Sequence, residues 1–526
     1  MSLAPFANEP FLDLASPTEA ARMREAVAMV ASRLGGRYPL RIGGERVAGA
    51  TTLRSMNPGA PDELVGEIAA ASAAQAAQAV EAAGRAFPAW SRIDPWERAA
   101  TLLRAADILR QRRRELLAWL AFEVGKNFGQ GDGEVAEAID HFEWNARQLL
   151  AWQRGREIQP IPSEMNEYRY RPLGVGVVIS PWNFPSTLPL GMVVAAVAAG
   201  NAVVLKPAEE ASVIASQLVD VLEEAGLPPG VVNLVTGTGA EAGDALVRHP
   251  DVRFVAFVGS RDVGTRVYEK AAALAPGQRH LKRVMTEMGG KNATIVTEAA
   301  ELEWAAAETA RAALGYQGQK CSATSRVVVT EGVHDRFVAA LEAEVRRIAS
   351  DRGQATDNRA FGPLINRAAL EKVERYMALA PSQGRVVLRG ERDESVGHCV
   401  TPTLVDDVEP GAAIAQEEIF GPFVSVLRAP SLERAVAIAN DVPYALTGAA
   451  FTRDPAELDY VRAHFYVGNL YLNRSSTGAM AGVHPFGGYK LSGTGPKVGG
   501  PDYMGFFLEA QAITQKVRYA RTGIDG

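Results

Sequence analysis

The sequence predicts an α/β fold made of two doubly wound domains with a small additional β element. A chain of 526 residues exceeds the size of one ordinary hydrophobic core, so two domains are expected. Apolar residues make up 47% of the chain and charged residues 22%, which is typical of a globular protein. From about residue 174 onward, short β-branched runs alternate with helical patterns, as in parallel sheets covered by helices.

The first series contains four predicted strands separated by segments with apolar residues at helical spacing. The strands are 174–180, 201–207, 231–237 and 253–259, and the helices are 211–226, 239–249 and one that opens at residue 261. This repetition predicts a parallel sheet with right-handed crossovers. Such a sheet binds ligands at the carboxyl ends of its strands.

A second α/β domain is predicted after Gly290. Its strands are 293–298, 325–330, 385–390, 423–429 and 468–474, and its helices are 334–350 and 431–441. Before the first series, residues 74–121 have the pattern of two Ala-rich helices and residues 134–154 that of another. Residues 152–171 form a polar, proline-interrupted excursion, and residues 506–517 alternate as a strand does.

Charge and cysteine content narrow the classes of function. Lys and Arg total 55 against 61 Asp and Glu, which provides no attraction for nucleic acid or an anionic membrane. The most apolar stretch, 188–205, is interrupted by Pro189, Gly191, Gly200 and Asn201, so a buried helix and strand are expected there rather than a membrane span. The first residues lack the pattern of an export signal. Two cysteines suit a reducing cytoplasm.

Two residues of the second series are candidates for covalent and acid–base chemistry. Cys321, in QGQKCSATSR, follows a helix and precedes a strand, where a thiol can be presented in a loop; small buried cysteines are the common alternative. Cys399 is assigned to packing. Glu287 comes just before the pair Gly289–Gly290 among uncharged neighbours, which favours a partly desolvated base over a solvated surface carboxylate.

Further candidates follow the strands of the first series. Asn183, in SPWNFP, offers an amide that could stabilise an oxyanion. Lys206 and Glu209, in KPAEE, could bind ribose hydroxyls, and Ser260 opens a helix whose free N–H groups favour a pyrophosphate. The segment 237–243 only loosely resembles a dinucleotide-binding fingerprint. For each of these residues the alternative is a purely structural role, as a packed core side chain or an exposed surface side chain. No metal site is predicted.

Seven motifs together carry a family resemblance. SPWNFP, KPAEE, FVGS, TEMGGK, QGQKCS, EEIFGP and PFGGYKLSG occur in the order and spacing of the aldehyde dehydrogenase superfamily, over roughly residues 40–515. The chain is most similar to the branch that oxidises L-glutamate γ-semialdehyde, the 1-pyrroline-5-carboxylate dehydrogenases of proline catabolism. That closer resemblance depends on NEPF, QGQKCSA, FYVGNLYLNR with STGAM, and GGYKLSGT followed by DYM.

The resemblance implies the catalytic roles. Cys321 matches the nucleophile and Glu287 the general base, while Asn183 and the Cys321 backbone N–H match the oxyanion hole. The thiolate would add to the aldehyde, hydride would leave for NAD, and Glu287 would activate water to release the acid. Because a free thiol has a pKa of roughly 8.5, a local positive potential, with Lys320 adjacent, is expected to lower it.

The resemblance also implies the binding residues. Those for the cofactor are Ser180, Pro181, Trp182, Lys206, Glu209, Gly239, Ser260, Val263, Gly289, Glu418 and Phe420. Glu209 predicts a preference for NAD over NADP, because a carboxylate suits a free 2′-hydroxyl and repels a 2′-phosphate. Those for the substrate are Glu137, Phe184, Ser322, Gly478, Ala479 and Phe486. Met288, where the family usually has Leu or Thr, is a departure from the pattern.

The expected organisation follows from the same resemblance. It comprises an arm (1–40), a cofactor-binding domain (41–151 and 172–286), a catalytic domain (287–491) and an oligomerisation element (152–171 and 492–526) that implies a homodimer or higher homo-oligomer. Another semialdehyde, such as succinate semialdehyde, remains an alternative substrate, and coenzyme A an alternative acyl acceptor. Outside the enzymes, the alternative is a non-catalytic binding or structural protein that retained the fold.

Overall fold

The computed structural model describes residues 3–516. Within that range the helices are α1 (Pro17–Ala31), α2 (Ala73–Trp90), α3 (Pro95–Gln111), α4 (Arg113–Val124), α5 (Phe128–Trp152), α6 (Thr187–Ala198), α7 (Ser212–Glu224), α8 (Asp244–Arg248), α9 (Arg261–Ala272), α10 (Leu302–Leu314), α11 (His334–Ser350), α12 (Arg367–Gln383), α13 (Ala413–Gln416), α14 (Leu432–Asn440) and α15 (Pro455–His464).

The strands of the same range include several short ones at the sheet edges. They are β1 (Gly36–Tyr38), β2 (Leu40–Ile42), β3 (Glu45–Val47), β4 (Thr51–Asn57), β5 (Ala60–Ala70), β6 (Glu164–Pro172), β7 (Val175–Ile179), β8 (Ala202–Lys206), β9 (Val232–Leu234), β10 (Val252–Val258), β11 (Arg283–Glu287), β12 (Asn292–Val296), β13 (Thr324–Thr330), β14 (Arg385–Leu388), β15 (Arg392–Asp393), β16 (Cys399–Val400), β17 (Thr403–Asp406), β18 (Phe423–Ala429), β19 (Tyr444–Ala445), β20 (Thr447–Phe451), β21 (Asn469–Leu472), β22 (Tyr489–Lys490), β23 (Gly493–Thr494) and β24 (Leu508–Lys516).

The first large sheet has the order β23-β11-β10-β7-β8-β9-β2-β3. Its five inner strands, β11 to β9, are parallel. Side chains alternate between two buried cores: Val178 and Val203 belong to one, and Val177 and Val204 to the other. A sheet covered on both faces explains why these strands are almost continuously apolar.

The second large sheet has the order β14-β17-β18-β13-β12-β20-β21, parallel except for β14. Val327 and Val329 of β13 pack on one face, and Val328 packs on the other. Cys399 lies fully buried in the first of these two cores, consistent with its assignment to packing. The prediction of two doubly wound α/β sheets is confirmed.

The prediction of two helices across residues 74–121 is wrong, because α2, α3 and α4 occupy this segment. Asp94 caps α3 before Pro95, and Arg112 leaves the helical conformation between α3 and α4. One non-helical residue suffices to redirect the chain, and no glycine or proline marks it in the sequence. Helices α12 and α15 and strand β20 also lie where no element was predicted from the sequence.

The excursion predicted at residues 152–171 contains β6, which pairs with β24 in a separate antiparallel ribbon. Side chains of β6 alternate between intermediate and exposed positions, so neither face of the ribbon is buried within this chain. The predicted final strand is β24, and its last predicted residue, Val517, lies outside the described range, as does the rest of the predicted element up to residue 526.

Candidate active site

A cleft of about 670 Å³ lies at the carboxyl ends of the first sheet. Strands β7, β8, β10 and β11 end at Ile179, Lys206, Val258 and Glu287, and all four of these residues line it. The second α/β unit supplies Cys321 and the segment 418–420. The cleft therefore lies between the two large sheets, where a doubly wound fold is expected to bind a ligand.

Cys321 is presented by a constrained turn. Tyr316 and Gln317 adopt left-handed backbone angles, with φ of 54° and 55°, a conformation that costs free energy unless contacts hold it. The Tyr316 hydroxyl donates to the carbonyl of Val124 at 2.5 Å, and Asn292 Nδ2 donates to the carbonyl of Cys321 at 2.7 Å. These contacts hold the loop so that Cys321 reaches the cleft.

Glu287 and Cys321 face each other in a dry environment. Burial raises the pKa of Glu287 to about 8, while the neighbouring Cys321 thiol lowers it. Neither carboxylate oxygen meets hydrogen-bonding geometry with any group among residues 3–516. An unpaired buried carboxylate with a pKa near neutrality has the properties of a general base.

The expectation that the pKa of Cys321 is lowered is wrong for this arrangement. Although part of the residue reaches the cleft, burial raises the pKa of its thiol well above the ordinary value, and the charge of Glu287 raises it further. Burial also weakens the charge of the adjacent Lys320. Its Nζ donates to Gln130 Oε1 at 2.5 Å, and burial lowers the pKa of Lys320 to about 7.

Asn183 lies just after β7 and lines the cleft together with Cys321. Its Nδ2 donates to the carbonyl of Gln319 at 3.1 Å, which leaves one amide proton for a ligand. Within the described range, the backbone N–H of Cys321 makes no hydrogen bond. Both predicted oxyanion donors are therefore available in the same cleft.

Every predicted cofactor residue except Glu209 lines the cleft: Ser180, Pro181, Trp182, Lys206, Gly239, Ser260, Val263, Gly289, Glu418 and Phe420. Glu209 is exposed at the start of a 3-10 turn, one residue beyond the lining residue Ala208. Lys206 is buried, and its Nζ donates to the carbonyl of Pro207 at 3.0 Å. Thus the structure brings Lys206 into the cleft and leaves Glu209 at the rim.

The cleft has a helix N-terminus, which favours an anionic group, and a carboxylate at its other end. Ser260 is the N-cap of α9, and its hydroxyl accepts from the N–H of Val263 at 3.4 Å. At the other end, Glu418 accepts from the N–H of Gly290 at 2.9 Å. A Cβ on Gly289 would lie 2.3 Å from the Glu418 carboxylate, so glycine is required for this close approach.

The six predicted substrate residues lie outside this cleft. Ser322 follows Cys321, and its carbonyl accepts from Ser476 Oγ at 3.0 Å, which ties it to the segment that carries Gly478 and Ala479. Phe184 follows Asn183, and Lys126 Nζ lies 3.9 Å from its ring centre. Phe486 lines a small cavity that also contacts Glu287.

Glu137 projects from α5, and burial raises the pKa of its carboxyl to about 8. The charges of Glu137 and Cys321 both contribute to raising the pKa of Tyr471, which burial brings to about 12. Tyr471 therefore lies near both residues. Its buried hydroxyl has no partner within residues 3–516, and the sequence reading did not single it out.

The model of the Aldehyde dehydrogenase family matches residues 46–513. The chain belongs to this family. The match spans the parallel strands of both large sheets and most of the ribbon, and the resemblance derived from the seven motifs is confirmed.

Several proteins named 1-pyrroline-5-carboxylate dehydrogenase are similar to this chain over almost its whole length. A 1-pyrroline-5-carboxylate dehydrogenase of Halalkalibacterium halodurans is 44% identical, over 98% of this chain and 99% of its own length. One from Geobacillus thermodenitrificans is 45% identical, over 97% and 99%. The solved structure of a 1-pyrroline-5-carboxylate dehydrogenase from Thermus with bound NAD is 45% identical, covers 98% of this chain and 100% of its own, and has a TM-score of 0.96.

Membership of the aldehyde dehydrogenase family makes the chain an oxidoreductase that acts on a small-molecule aldehyde. In the part of the chain that the structure describes, no helix has both the length and the apolar character needed to cross a bilayer.

Lys126, which the sequence analysis did not single out, contacts the turn that carries Asn183. Its Nζ donates to the main-chain carbonyl of Asn183 and to Glu134. The only local signal is a lysine in an apolar surrounding, VGKNF, which does not reveal a partner 57 positions away.

Proposed function

We propose that this aldehyde dehydrogenase oxidises L-glutamate γ-semialdehyde to L-glutamate, with NAD as the oxidant and water as the acyl acceptor, as a step of proline breakdown. The observation that carries the proposal is the near full-length similarity, at 44% and 45% identity, to proteins named 1-pyrroline-5-carboxylate dehydrogenase. The convergence of Cys321, Glu287 and Asn183 on one cleft supports the chemistry.

In the proposed first step, Glu287 accepts the proton of the Cys321 thiol. The raised pKa values of both groups favour the protonated thiol at rest, so the base must generate the nucleophile as substrate binds. The thiolate then forms a C–S bond with the aldehyde carbon, and the carbonyl electron pair moves to oxygen. Asn183 Nδ2 and the Cys321 N–H would stabilise that oxyanion.

Collapse of the tetrahedral adduct restores the C=O bond and leaves a thioester on Cys321. NAD, when bound, supplies the acceptor for the hydride that leaves the carbon. Once Glu287 has released the thiol proton to solvent, it takes a proton from water, whose oxygen attacks the thioester. The acid leaves, and the expelled Cys321 thiolate recovers a proton from Glu287. A base with a pKa of about 8 is suited to this second deprotonation.

The residues present fit NAD. The cleft volume of about 670 Å³ lies within the range of roughly 300–1,000 Å³ typical of ligand sites. Ser260 and Val263, at the start of α9, would hold the pyrophosphate. Lys206 and Glu209 would bind the adenosine ribose, and Glu418 the nicotinamide ribose beside Phe420. The remaining lining residues predicted for the cofactor are Ser180, Pro181, Trp182, Gly239 and Gly289.

The substrate end of the proposal uses residues on the other side of Cys321. Ser322 with the backbone of Gly478 and Ala479 would hold the carboxylate, since a hydroxyl and backbone N–H groups form an anion nest. Phe184 and Phe486 would flank the aliphatic carbons. Glu137 would face the amino group, and its ionised form is favoured once that cation is bound.

The assembly is proposed on the same basis. The ribbon of β6 and β24 and the segment that precedes β6 leave Ile158, Ile161 and Met165 exposed, and we propose that the ribbon pairs with a second copy to give a homodimer or a higher homo-oligomer. The proposed domains are those predicted: 1–40, 41–151 with 172–286, 287–491, and 152–171 with 492–526. Two free cysteines fit a cytoplasmic location.

A substrate panel tests the proposed function. NADH formation from L-glutamate γ-semialdehyde, succinate semialdehyde and propanal would be compared through kcat/KM, with Cys321→Ala as the inactive control. We expect the highest value for L-glutamate γ-semialdehyde and a lower KM for NAD than for NADP. A marked preference for succinate semialdehyde would overturn the proposed substrate, and acyl-coenzyme A among the products would overturn water as the acceptor.

A further inference from the structure

Residues 4–12 of the N-terminal arm reach the loop 477–483, which carries two of the proposed substrate residues. Asn8 Nδ2 donates to Asp140 Oδ2 at 2.8 Å and to the carbonyl of Ala481 at 3.0 Å. Asp140 and Ala481 are both buried. One amide group therefore joins helix α5 to the loop 477–483.

Asp140, which joins α5 to Asn8, lies on the same face of α5 as Glu137. Asp140 lies three residues after Glu137, and Trp144 lies four residues after Asp140, so the three side chains follow one face of the helix. The backbone N–H of Glu9 donates to Asp140 Oδ1 at 2.7 Å. Both oxygens of Asp140 thus accept from the arm, within one helical turn of the proposed amino-group ligand.

The loop side of the junction is packed as tightly. Gly482 has a φ of 76°, and a Cβ there would lie 2.8 Å from Phe6 and 3.0 Å from Trp144. Phe6 and Trp144 form an edge-to-face pair with centroids 5.2 Å apart. Phe6 of the arm and Trp144 of α5 therefore confine Gly482, three residues after Ala479.

We propose that Asn8 is a positioning residue that sets the 477–483 loop relative to Glu137 and thereby determines affinity for the amino-acid end of the substrate. The inference rests on the proposed function. Ser322, Gly478 and Ala479 bind one end of the substrate, and Glu137 the same end from another element. Recognition by two elements requires a fixed separation between them, and displacements below 1 Å matter at such sites.

The competing explanation is that Asn8 only holds the arm against the body of the protein. Other hydrogen bonds already do this. Arg147 Nε donates to the carbonyl of Ala4 at 2.9 Å, and Arg113 donates to that of Pro10 at 2.9 Å. The N–H of Leu12 donates to Asp132 at 2.8 Å. Loss of the Asn8 amide therefore leaves the arm attached to the body on both sides of residue 8.

The test compares Asn8→Ala with Glu9→Gln in the full-length enzyme. Glu9 belongs to the same arm, but its carboxylate pairs with Arg110 and Arg113 and does not contact the loop. Steady-state NADH formation would give KM and kcat for L-glutamate γ-semialdehyde and for propanal, which is too short to reach the loop. Inhibition of propanal oxidation by L-glutamate would report binding at the loop without turnover.

For Asn8→Ala we expect KM for the semialdehyde and the inhibition constant of L-glutamate to rise about three- to tenfold, the effect of one hydrogen bond. Both parameters for propanal should stay within about twofold, since the reacting groups are untouched. Glu9→Gln should resemble wild type throughout. Asn8→Ser, which keeps one donor, replaces the alanine variant if the latter does not fold.

Two results would overturn the inference. One is an unchanged KM for the semialdehyde together with unchanged L-glutamate inhibition, and the other is an equal rise in KM for propanal. A wild-type enzyme that itself does not prefer the semialdehyde to propanal would instead overturn the proposed function, and the inference with it. Failure of the inference is therefore seen in Asn8→Ala, and failure of the proposed function is seen in the wild-type enzyme.

Discussion

The ammonium of Lys126 lies 2.6 Å from the main-chain oxygen of Asn183. Lys126 is fully buried, and its second partner is Glu134, at 2.5 Å. Glu134 in turn accepts from the N–H of Ser186 at 2.6 Å. This chain of contacts holds the turn that presents the Asn183 amide to the cleft, so the proposed oxyanion hole depends on a lysine that does not touch the substrate.

Replacement of Lys126 should therefore lower turnover more than binding. We expect Lys126→Met to reduce kcat about tenfold to a hundredfold, because a misplaced donor loses most of its transition-state stabilisation, with little change in the KM for NAD. Lys126→Met also leaves Glu134 unpaired. The double variant with Glu134→Gln removes that charge, and a full recovery of kcat in it would show that the unpaired charge, rather than Asn183, causes the defect.

The pH profile should report the buried base. Burial raises the pKa of Glu287 to about 8, and the carboxylate is the active form, so activity should fall as the pH drops below that value. We expect the acid limb of kcat/KM, measured between about pH 4 and pH 10, to have an apparent pKa near 8 that belongs to the Glu287–Cys321 pair. A limb near pH 4.5 would contradict the assignment, and Glu287→Gln should abolish turnover.

Alanine substitution of each cysteine separates a catalytic role from a packing role. Cys321→Ala should lower NADH formation by at least about a thousandfold, as expected for loss of a nucleophile. Cys399→Ala should retain wild-type kcat and lower stability by about 1 kcal/mol, because it deletes one buried sulfur from the core. Cys399 is fully buried, whereas Cys321 reaches the cleft, so alkylation should modify Cys321 alone. Inactivation of the enzyme by modification at Cys399 would contradict this prediction.

Glu123 is expected to stabilise helix α7. The N-cap of α7 makes no side-chain hydrogen bond, and instead Glu123 of α4 accepts from the N–H groups of Val213 and Ile214 at 2.8 and 2.7 Å. Glu123→Ala should lower the free energy of unfolding by about 2 kcal/mol, because it leaves these buried donors unpaired. Glu123→Gln, whose amide oxygen can still accept, should lose less. Urea midpoints at one protein concentration would measure both.

The same carboxyl predicts a pH dependence of stability. Burial raises the pKa of Glu123 to about 7 from an ordinary value of 4.5. A raised carboxyl pKa contributes stability that is present below the unfolded value and is lost as the pH rises through the folded one. The urea midpoint of wild type should therefore fall relative to that of Glu123→Gln between about pH 4.5 and pH 7. Parallel profiles for the two proteins would contradict this.

Much of the proposed site could be predicted because its residues stand in local patterns. Asn183 follows a β-branched strand, Glu287 ends another strand before two glycines, and Cys321 follows the glycine-containing turn 315–318. Each pattern is written within about ten residues of chain. Lys126 and Asn8 could not be found in this way, since their partners lie 57 and 473 positions away.

By itself, the sequence determined the fold class, the family and the identity of the proposed nucleophile and base, because strand and helix periods and ordered motifs are properties of neighbouring residues. The tertiary structure alone decided that burial beside Glu287 raises the pKa of the Cys321 thiol, that Glu209 stays at the rim of the cleft, and that the arm reaches the 477–483 loop. These properties depend on burial and on contacts between segments that are distant in the chain, and no local pattern encodes either.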